Sequence, residues 1–534
     1  MLDYNPAAVN HRLTARDKLL ALAAYFALTL ALTYPLVLRP QSANRLDSPD
    51  ALLNSWIVSW CLYQLPRDPL HLFDANIFYP EKGALALSEN LLTGALLASP
   101  AALFSSSPVL LFNTVLLAAF VTSAYAAFLL AHDLTGSRLA AALAGILFAF
   151  APYRFAHIPH LQLQLAFGIP LSLYFARRIL EGRPGLGPVV GLAASIPLTF
   201  GSSIYYSIYG ATVVPVLVLF ELPAVQAGRR LGTLARIGLA AAAGTLMTLP
   251  LALPYWSKLS SGMVRSLETA SEFEATGVDY VSSFSRLHGF LPKGSEPLFP
   301  GFVAIGLAAS ALWAPSKERR RARVWIAVAI VGVALSLGPS LGLFSILYEV
   351  FPPYRALRVP SRAGILFLLA VSMLAALGLR RFHGNAVRIA LVALAAAECA
   401  SVPLPLRMQA PVVPPIYRHL EGIGEGALLE LPLPPPERFQ ENAVYVFRSA
   451  THRRSIVNGY SGFVPETYRE TYQHLKTRPM SEGLTRLAGQ GVRFVLAHEG
   501  RLGPRLRREL ADAEREGILI LVGEESPDRL YRIR

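Results

Sequence analysis

Asp47 and Asp50 stand three positions apart, just past the first apolar run of the 534-residue chain. At that spacing both carboxylates can point to one side of a helix start, where either could act as a general base on an acceptor hydroxyl. The same pair also suits a helix N-terminus simply for its partial positive charge. Glu89, within Ser88-Glu89-Asn90, could line the same site or help cap the run 91–99. His157 and His160 are again three apart and could share a face that holds a divalent cation. Pro159 breaks a helix between them and no third ligand is adjacent, so hydrogen bonds to substrate or head groups are the alternative. Arg154 has the planar fork that matches a lipid phosphate. Arg355, Arg358 and Arg362 crowd the segment 352–364, where they could neutralise an anionic head group or anchor the chain to lipid.

These groups need a membrane to position them. The chain is 53% apolar and 16% charged, with a net charge of +14. Of its 84 charged residues, about 35 fall in 407–534, so the charged fraction is about 12% before that point and about 27% after it, the latter a soluble value. This predicts a membrane domain over 1–406 and a soluble domain over 407–534. Apolar runs at 19–38, 109–131, 237–254, 362–379 and 389–406 approach the roughly 20 residues of a span. Shorter runs lie at 139–151, 161–176, 188–204, 205–222, 301–314 and 324–338.

Basic clusters separate the runs: Arg12, Arg16 and Lys18; His132 and Arg138; Arg177, Arg178 and Arg183; Arg229, Arg230 and Arg236; Lys317 to Arg323; and Arg380, Arg381 and Arg388. About eleven spans put all of these in the cytoplasm and the tail outside. That parity requires the run 91–104 to be re-entrant or interfacial. The first run is longer than a signal-peptide core and reads as an uncleaved span.

The long outer loop 39–108 then carries a helix over 49–64. Ser48 is its expected N-cap and Pro49 its first residue, and Leu52, Leu53, Trp56 and Trp60 form a face expected on the outer leaflet. The charges of 255–300 read as a solvated face. The basic excess lies in short loops, so nucleic acid is not implied. Cys61 and Cys399 form neither a disulfide framework nor a metal motif. There is no Walker loop, G-x-G-x-x-G or H-E-x-x-H. A reaction outside would need an activated substrate delivered in the membrane.

The tail alternates strand-like pieces at 427–433, 455–457, 492–497, 518–522 and 530–533 with helix-like pieces at 437–449, 466–475, 482–488 and 504–516, which predicts an α/β domain. Its stretch 443–463 is dense in aromatic and polar residues, among them Asn458 and Tyr460, and could bind acceptor or glycan, or form a seam between domains.

The plan of an uncleaved first span, an acidic outer loop and many further spans resembles the GT-C fold of integral membrane glycosyltransferases. The resemblance rests on Asp50, Trp56 and Trp60; on Asn76-Ile77-Phe78-Tyr79-Pro80; on Leu134-Thr135-Gly136-Ser137-Arg138; and on Phe148 to Arg154. The strings Leu357 to Arg362 and Asn458 to Phe463 also look like bacterial membrane proteins of the YfhO type. The resemblance implies a polytopic α-helical protein of a bacterial inner membrane, N-terminus cytoplasmic and tail extracytoplasmic. It implies transfer of a sugar, with inversion, from a polyprenyl-phosphate carrier to a lipid, glycan or protein acceptor. Asp50, with Asp47 as substitute, is then the base, and Arg358 and Arg362 stabilise the leaving phosphate. Such enzymes often carry a second acidic residue where this chain has His157 and His160. The rival readings are a lipid or glycan transporter, with Glu398 as its intramembrane charge, an envelope-assembly accessory protein, or a scaffold.

Overall fold

The computed structural model describes residues 13–313 and 316–534. Arg12 and the side chain of Lys317, both used above for topology, lie outside the described residues. Each apolar run carries a helix: α1 (Ala15–Leu32), α2 (Pro49–Gln64), α3 (Leu92–Ala102), α4 (Pro108–Thr135), α5 (Arg138–Ala149), α6 (Pro152–Ala156), α7 (Leu161–Gln164), α8 (Gly168–Leu180), α9 (Gly187–Phe200), α10 (Ile204–Glu221), α11 (Arg230–Ser260), α12 (Leu267–Ser271), α13 (Phe302–Ser310), α14 (Ser316–Ser336), α15 (Leu343–Val350), α16 (Gly364–Leu379) and α17 (Asn385–Cys399). Five stretches are long and apolar enough to cross a membrane: Pro108–Thr135, Arg138–Ala156, Ile204–Ala224, Ala227–Ser260 and Pro360–Leu379. Along α11, Leu239, Leu246 and Leu253 are 60–67% exposed at seven-residue spacing, a face suited to lipid rather than water. The expected count of eleven spans thus meets five helices of full crossing length among the described residues. α3 has 11 residues, about 16 Å at 1.5 Å each, roughly half a bilayer core.

Local chemistry sets the helix ends. Thr14 and Asp17 form a capping box at α1. Ser107 caps α4, with Pro108 at its first position, and Gly136 ends it at φ +68°, a conformation open to glycine. Ser137 then caps α5, so the string 134–138 is a helix-to-helix turn.

α2 forms where expected, but with two corrections. Ser48 makes no side-chain cap bond. Its tryptophan face does not meet lipid either: Trp56 and Trp60 are 1% and 5% exposed, and their indole N–H groups donate to Asn76 Oδ1 at 3.0 Å and Leu72 O at 2.9 Å. α3 and α4 cover one side of α2, and α18 (Ala443–His452) from the tail covers another.

The tail continues with α19 (Glu466–Thr477), α20 (Met480–Gly489) and α21 (Pro504–Arg515). Its sheet holds β1 (Ala427–Leu431), β2 (Val492–His498), β3 (Leu519–Glu525) and β4 (Asp528–Ile533) in the order β1-β2-β4-β3. β1 and β2 are parallel and joined through α18–α20, while β4 is antiparallel to both neighbours. The expected strand 455–457 is a single bridge from Ile456 to Leu428.

That segment works instead as a coupling. On one side Leu428 N–H donates to Ser455 O and Val457 N–H to Leu428 O, both at 2.9 Å. On the other, Ile456 N–H donates to Asn76 O, Phe78 N–H to Asn458 O and Tyr79 N–H to Ile456 O at 2.9–3.0 Å. The two motifs Asn76 to Pro80 and Asn458 to Tyr460 therefore share one backbone ladder. Gly459 makes this possible, because a Cβ there would lie 2.3 Å from the Phe78 ring.

Candidate functional site

Asp50 occupies the first turn of α2. Its Oδ1 accepts from the Tyr460 hydroxyl at 2.8 Å, and its Oδ2 faces His160 Nε2 at 3.2 Å. One turn on, Asn54 Nδ2 donates to Pro159 O at 2.9 Å and to Gln162 Oε1 at 3.3 Å, which ties the histidine loop to the same helix. Burial alone would push the Asp50 carboxyl up. Hydrogen bonds from His160 and Tyr460, with the charges of His160 and Arg362, overcome that and hold it at about 2. Burial pulls His160 below its ordinary value, and Arg362 and His157 pull it further, against the opposing pull of Asp50. The imidazole is then neutral near pH 7, with Nε2–H on Asp50. Its Nδ1 is buried and has no hydrogen-bond partner among the described residues.

His157 lies beside His160, ring centroids 5.4 Å apart, and pairs with Glu296 at 2.7 Å. Burial acts to raise the Glu296 carboxyl, but His157 and Arg362 hold it below the usual range. The loop carrying Glu296 is set by Asp279, which accepts from the Glu296 N–H at 2.9 Å and the Thr276 N–H at 2.7 Å. Glu296 escaped the sequence reading. It is one more charge in a mixed loop, and only the fold carries it to His157.

The arginines divide. The Arg362 guanidinium lies 4.7 Å from the Tyr205 ring centroid and that of Arg358 4.9 Å from Phe273. The Tyr205 hydroxyl also accepts from the Arg358 N–H at 2.9 Å. Arg265, 3.7 Å from the Phe463 ring centroid, joins them; burial and Arg358 lower it to about 10. Among the described residues none of these three makes an ion pair within 4 Å, and together they form a cationic patch. Arg355 is turned away, onto Tyr348 O at 3.1 Å and Glu349 at 3.5 Å.

Several expected site residues stand elsewhere. Asp47 pairs with Arg45 at 3.4 Å on the surface and does not substitute for Asp50. Arg154 is 0% exposed; it donates to Gln164 O and lies over Phe120, so it braces the histidine loop. Asn458 holds β1 through Glu430, with contacts of 2.8 and 2.9 Å. Glu89 does cap a helix, but a distant one: its carboxylate accepts from the Ile204 N–H of α10 at 2.7 Å. His157 and His160 turn Nε2 to different carboxylates, and among the described residues no three His, Cys, Asp or Glu side chains are arranged to hold a metal ion. The donors do not fit a divalent cation.

Burial raises Glu89 to about 7, against the Ile204 bond and Arg362. Its proton is thus held more tightly in the folded than in the unfolded chain. Stability should fall as pH rises from about 4.5 to about 7 and then level. Glu89→Gln should flatten that part of a melting-temperature profile in detergent; an unchanged profile would mean Glu89 titrates normally.

Comparison with solved structures decides the fold. The arabinofuranosyltransferase AftD from Mycobacteria superposes over 98% of this chain with a TM-score of 0.60 at 16% identity. The chain has the GT-C fold. A variant of the same mycobacterial enzyme matches with a TM-score of 0.58 at 15% identity, over 98% of this chain. The chain spans about 40% of the AftD length in both cases, 40% and 41%. No family model and no curated protein sequence matches it. The GT-C fold and the apolar helices make this a membrane protein.

Proposed function

We propose that the chain is a glycosyltransferase that moves a sugar from a polyprenyl-phosphate carrier to an acceptor hydroxyl at the extracytoplasmic face of a bacterial inner membrane. The observation that carries this is the Asp50–His160 pair set beside Arg362, which makes no ion pair among the described residues. The division between a membrane part, 1–406, and an extracytoplasmic part, 407–534, belongs to the same reading, as does the kinship with YfhO-type proteins.

The chemistry follows from the protonation states. Asp50 is ionised, and both its oxygens are engaged. It orients His160 through Nε2–H, and the free Nδ1 takes the acceptor's hydroxyl proton as the new bond forms. The acceptor oxygen attacks the anomeric carbon, and the bond from that carbon to the phosphate oxygen breaks with its electron pair. A single displacement inverts the centre. Arg362, Arg358 and Arg265 face the negative charge that grows on the departing phosphate. No step passes through a metal ion.

A transporter reading loses its main support. Glu398 accepts from the Phe302 and Val303 N–H groups at 3.1 and 2.8 Å and so caps α13; it is not a free charge along a pathway. The test is turnover. The purified chain in liposomes, given polyprenyl-phosphate-linked pentose and hexose donors with membrane-extracted acceptors, should release polyprenyl phosphate with at least one donor. No release above protein-free liposomes with any donor would end the proposal.

A further inference from the structure

A second polar cluster lies in the tail, at the carboxyl ends of the parallel strands β1 and β2. Glu430 is the next-to-last residue of β1 and is 0% exposed. His498 ends β2 opposite Asp528, the first residue of β4. The imidazole sits between the two carboxylates, Nε2 at 3.0 Å from Glu430 and Nδ1 at 3.1 Å from Asp528. In open α/β sheets this end of the parallel strands is where ligands bind.

Aromatic rings flank the cluster. Tyr445 stacks on His498 with centroids 5.2 Å apart and planes 6° from parallel; Tyr417 stacks on His452 at 5.4 Å and 8°. The Tyr417 hydroxyl donates to Glu430 Oε2, and the Arg448 guanidinium lies 5.9 Å from the Tyr417 ring centroid. Among the described residues, three polar atoms near Tyr417 are buried and unpartnered: Glu430 Oε1, His452 Nε2 and Arg448 Nε. A purely structural network would pair them, as buried polar atoms nearly always are. His452 and Arg448 are only half-buried as residues, so the cluster lies just beneath the surface on their side.

The chemistry selects a ligand class. The free atoms offer an acceptor on Glu430, a donor on Arg448 and an imidazole nitrogen on His452, beside an aromatic platform. That is a set for sugar hydroxyls. An anion is disfavoured, because Glu430 and Asp528 lie within the cluster and any anion would face the buried Glu430.

We propose that the carboxyl ends of β1 and β2 form a carbohydrate-binding site for a neutral sugar residue of the acceptor, away from the reacting hydroxyl, with Glu430, His452 and Arg448 as its hydroxyl-binding groups. The acceptor role rests on the glycosyl-transfer reading; the binding of sugar does not. The coupling to the first site is short. Asn458 is bonded to the backbone of Glu430, and Tyr460, two residues on, is bonded to Asp50. Two residues span at most about 7 Å.

The test uses the full chain in detergent and, as probes, linear tri- to hexasaccharides of mannopyranose, galactofuranose and arabinofuranose, with binding read by saturation-transfer NMR and titration. At least one series should bind. His452→Ala and Arg448→Ala should each weaken it at least tenfold, and Asp47→Asn, at the surface pair with Arg45, should leave it unchanged. If Glu430→Gln fails to fold, the half-buried His452 and Arg448, checked by melting temperature, still carry the test. No binding by the native chain, equal binding by both variants, or preference for a glucuronate-containing trisaccharide over the neutral ones would overturn the site. Intact transfer with no sugar binding would sink this proposal alone. Sugar binding without turnover of any donor would leave the site standing and remove the transfer reading.

Discussion

Asp50→Asn should lower turnover by about 10²–10⁴-fold, the usual worth of a positioned general base system, while the protein still folds and binds donor. The reason lies in the two bonds that Asp50 accepts. An asparagine keeps one acceptor oxygen and puts an NH2 group where the other was. It must then point a donor at either the Tyr460 hydroxyl or the His160 Nε2–H. The second outcome turns His160 to its other tautomer and covers Nδ1 with the proton it should be ready to receive. The residual activity has a signature. Asp50 raises His160, so without the carboxylate His160 titrates still lower, and the acid limb of kcat/KM should move to lower pH. Asp47→Asn, which touches only the Arg45 pair at the surface, should stay within about twofold of the native rate. Native-like turnover in Asp50→Asn would remove this carboxylate from the mechanism.

Arg362→Ala should cost about 10²–10³-fold in the release of polyprenyl phosphate under single-turnover conditions, the scale of losing one preorganised group that faces developing charge. Arg362→Lys should recover part of this, since it restores the charge but not the planar group that lies over Tyr205. The loss should also be felt by the acids nearby, because Arg362 lowers Asp50, Glu89 and Glu296. Glu89 should then titrate above about 7 in the variant. Arg355→Ala is the matched control, because that side chain is committed to Tyr348 and Glu349. Equal phosphate release by Arg362→Ala and Arg355→Ala would place the leaving group elsewhere.

Local pattern reached far in this chain. Each apolar run became a helix, and the expected tail helix 504–516 is α21, Pro504–Arg515, because its apolar residues recur at helical spacing on an otherwise charged segment. The strand at 427–433 is β1, Ala427–Leu431, a short β-forming run closed by proline. What the pattern could not carry were relations between distant segments. Trp56 and Trp60 fit a lipid boundary by residue type; only the packing of neighbouring helices around α2 shows them as interior. Tyr460 is 410 residues from Asp50, and no periodicity reports that bond. Glu296 finds His157 from 139 positions further along the chain. The histidine pair was legible as polar residues on one loop, but that each ring would take its own carboxylate, leaving no shared ligand face, required coordinates.

The backbone ladder between 76–79 and 456–458 has a bearing on how the molecule can be taken apart. Its rungs are main-chain groups, so their strength is nearly independent of side-chain identity, while Gly459 and Phe78 fix the register like a key in its slot. Excising the last 128 residues would strip Asp50 of its tyrosine and bare an unsatisfied strand edge on the remainder. A hybrid carrying a foreign terminus would need a glycine in step with Phe78 before any of its own chemistry could come into play. The chain reads as two modules, yet main-chain bonds clasp one to the other.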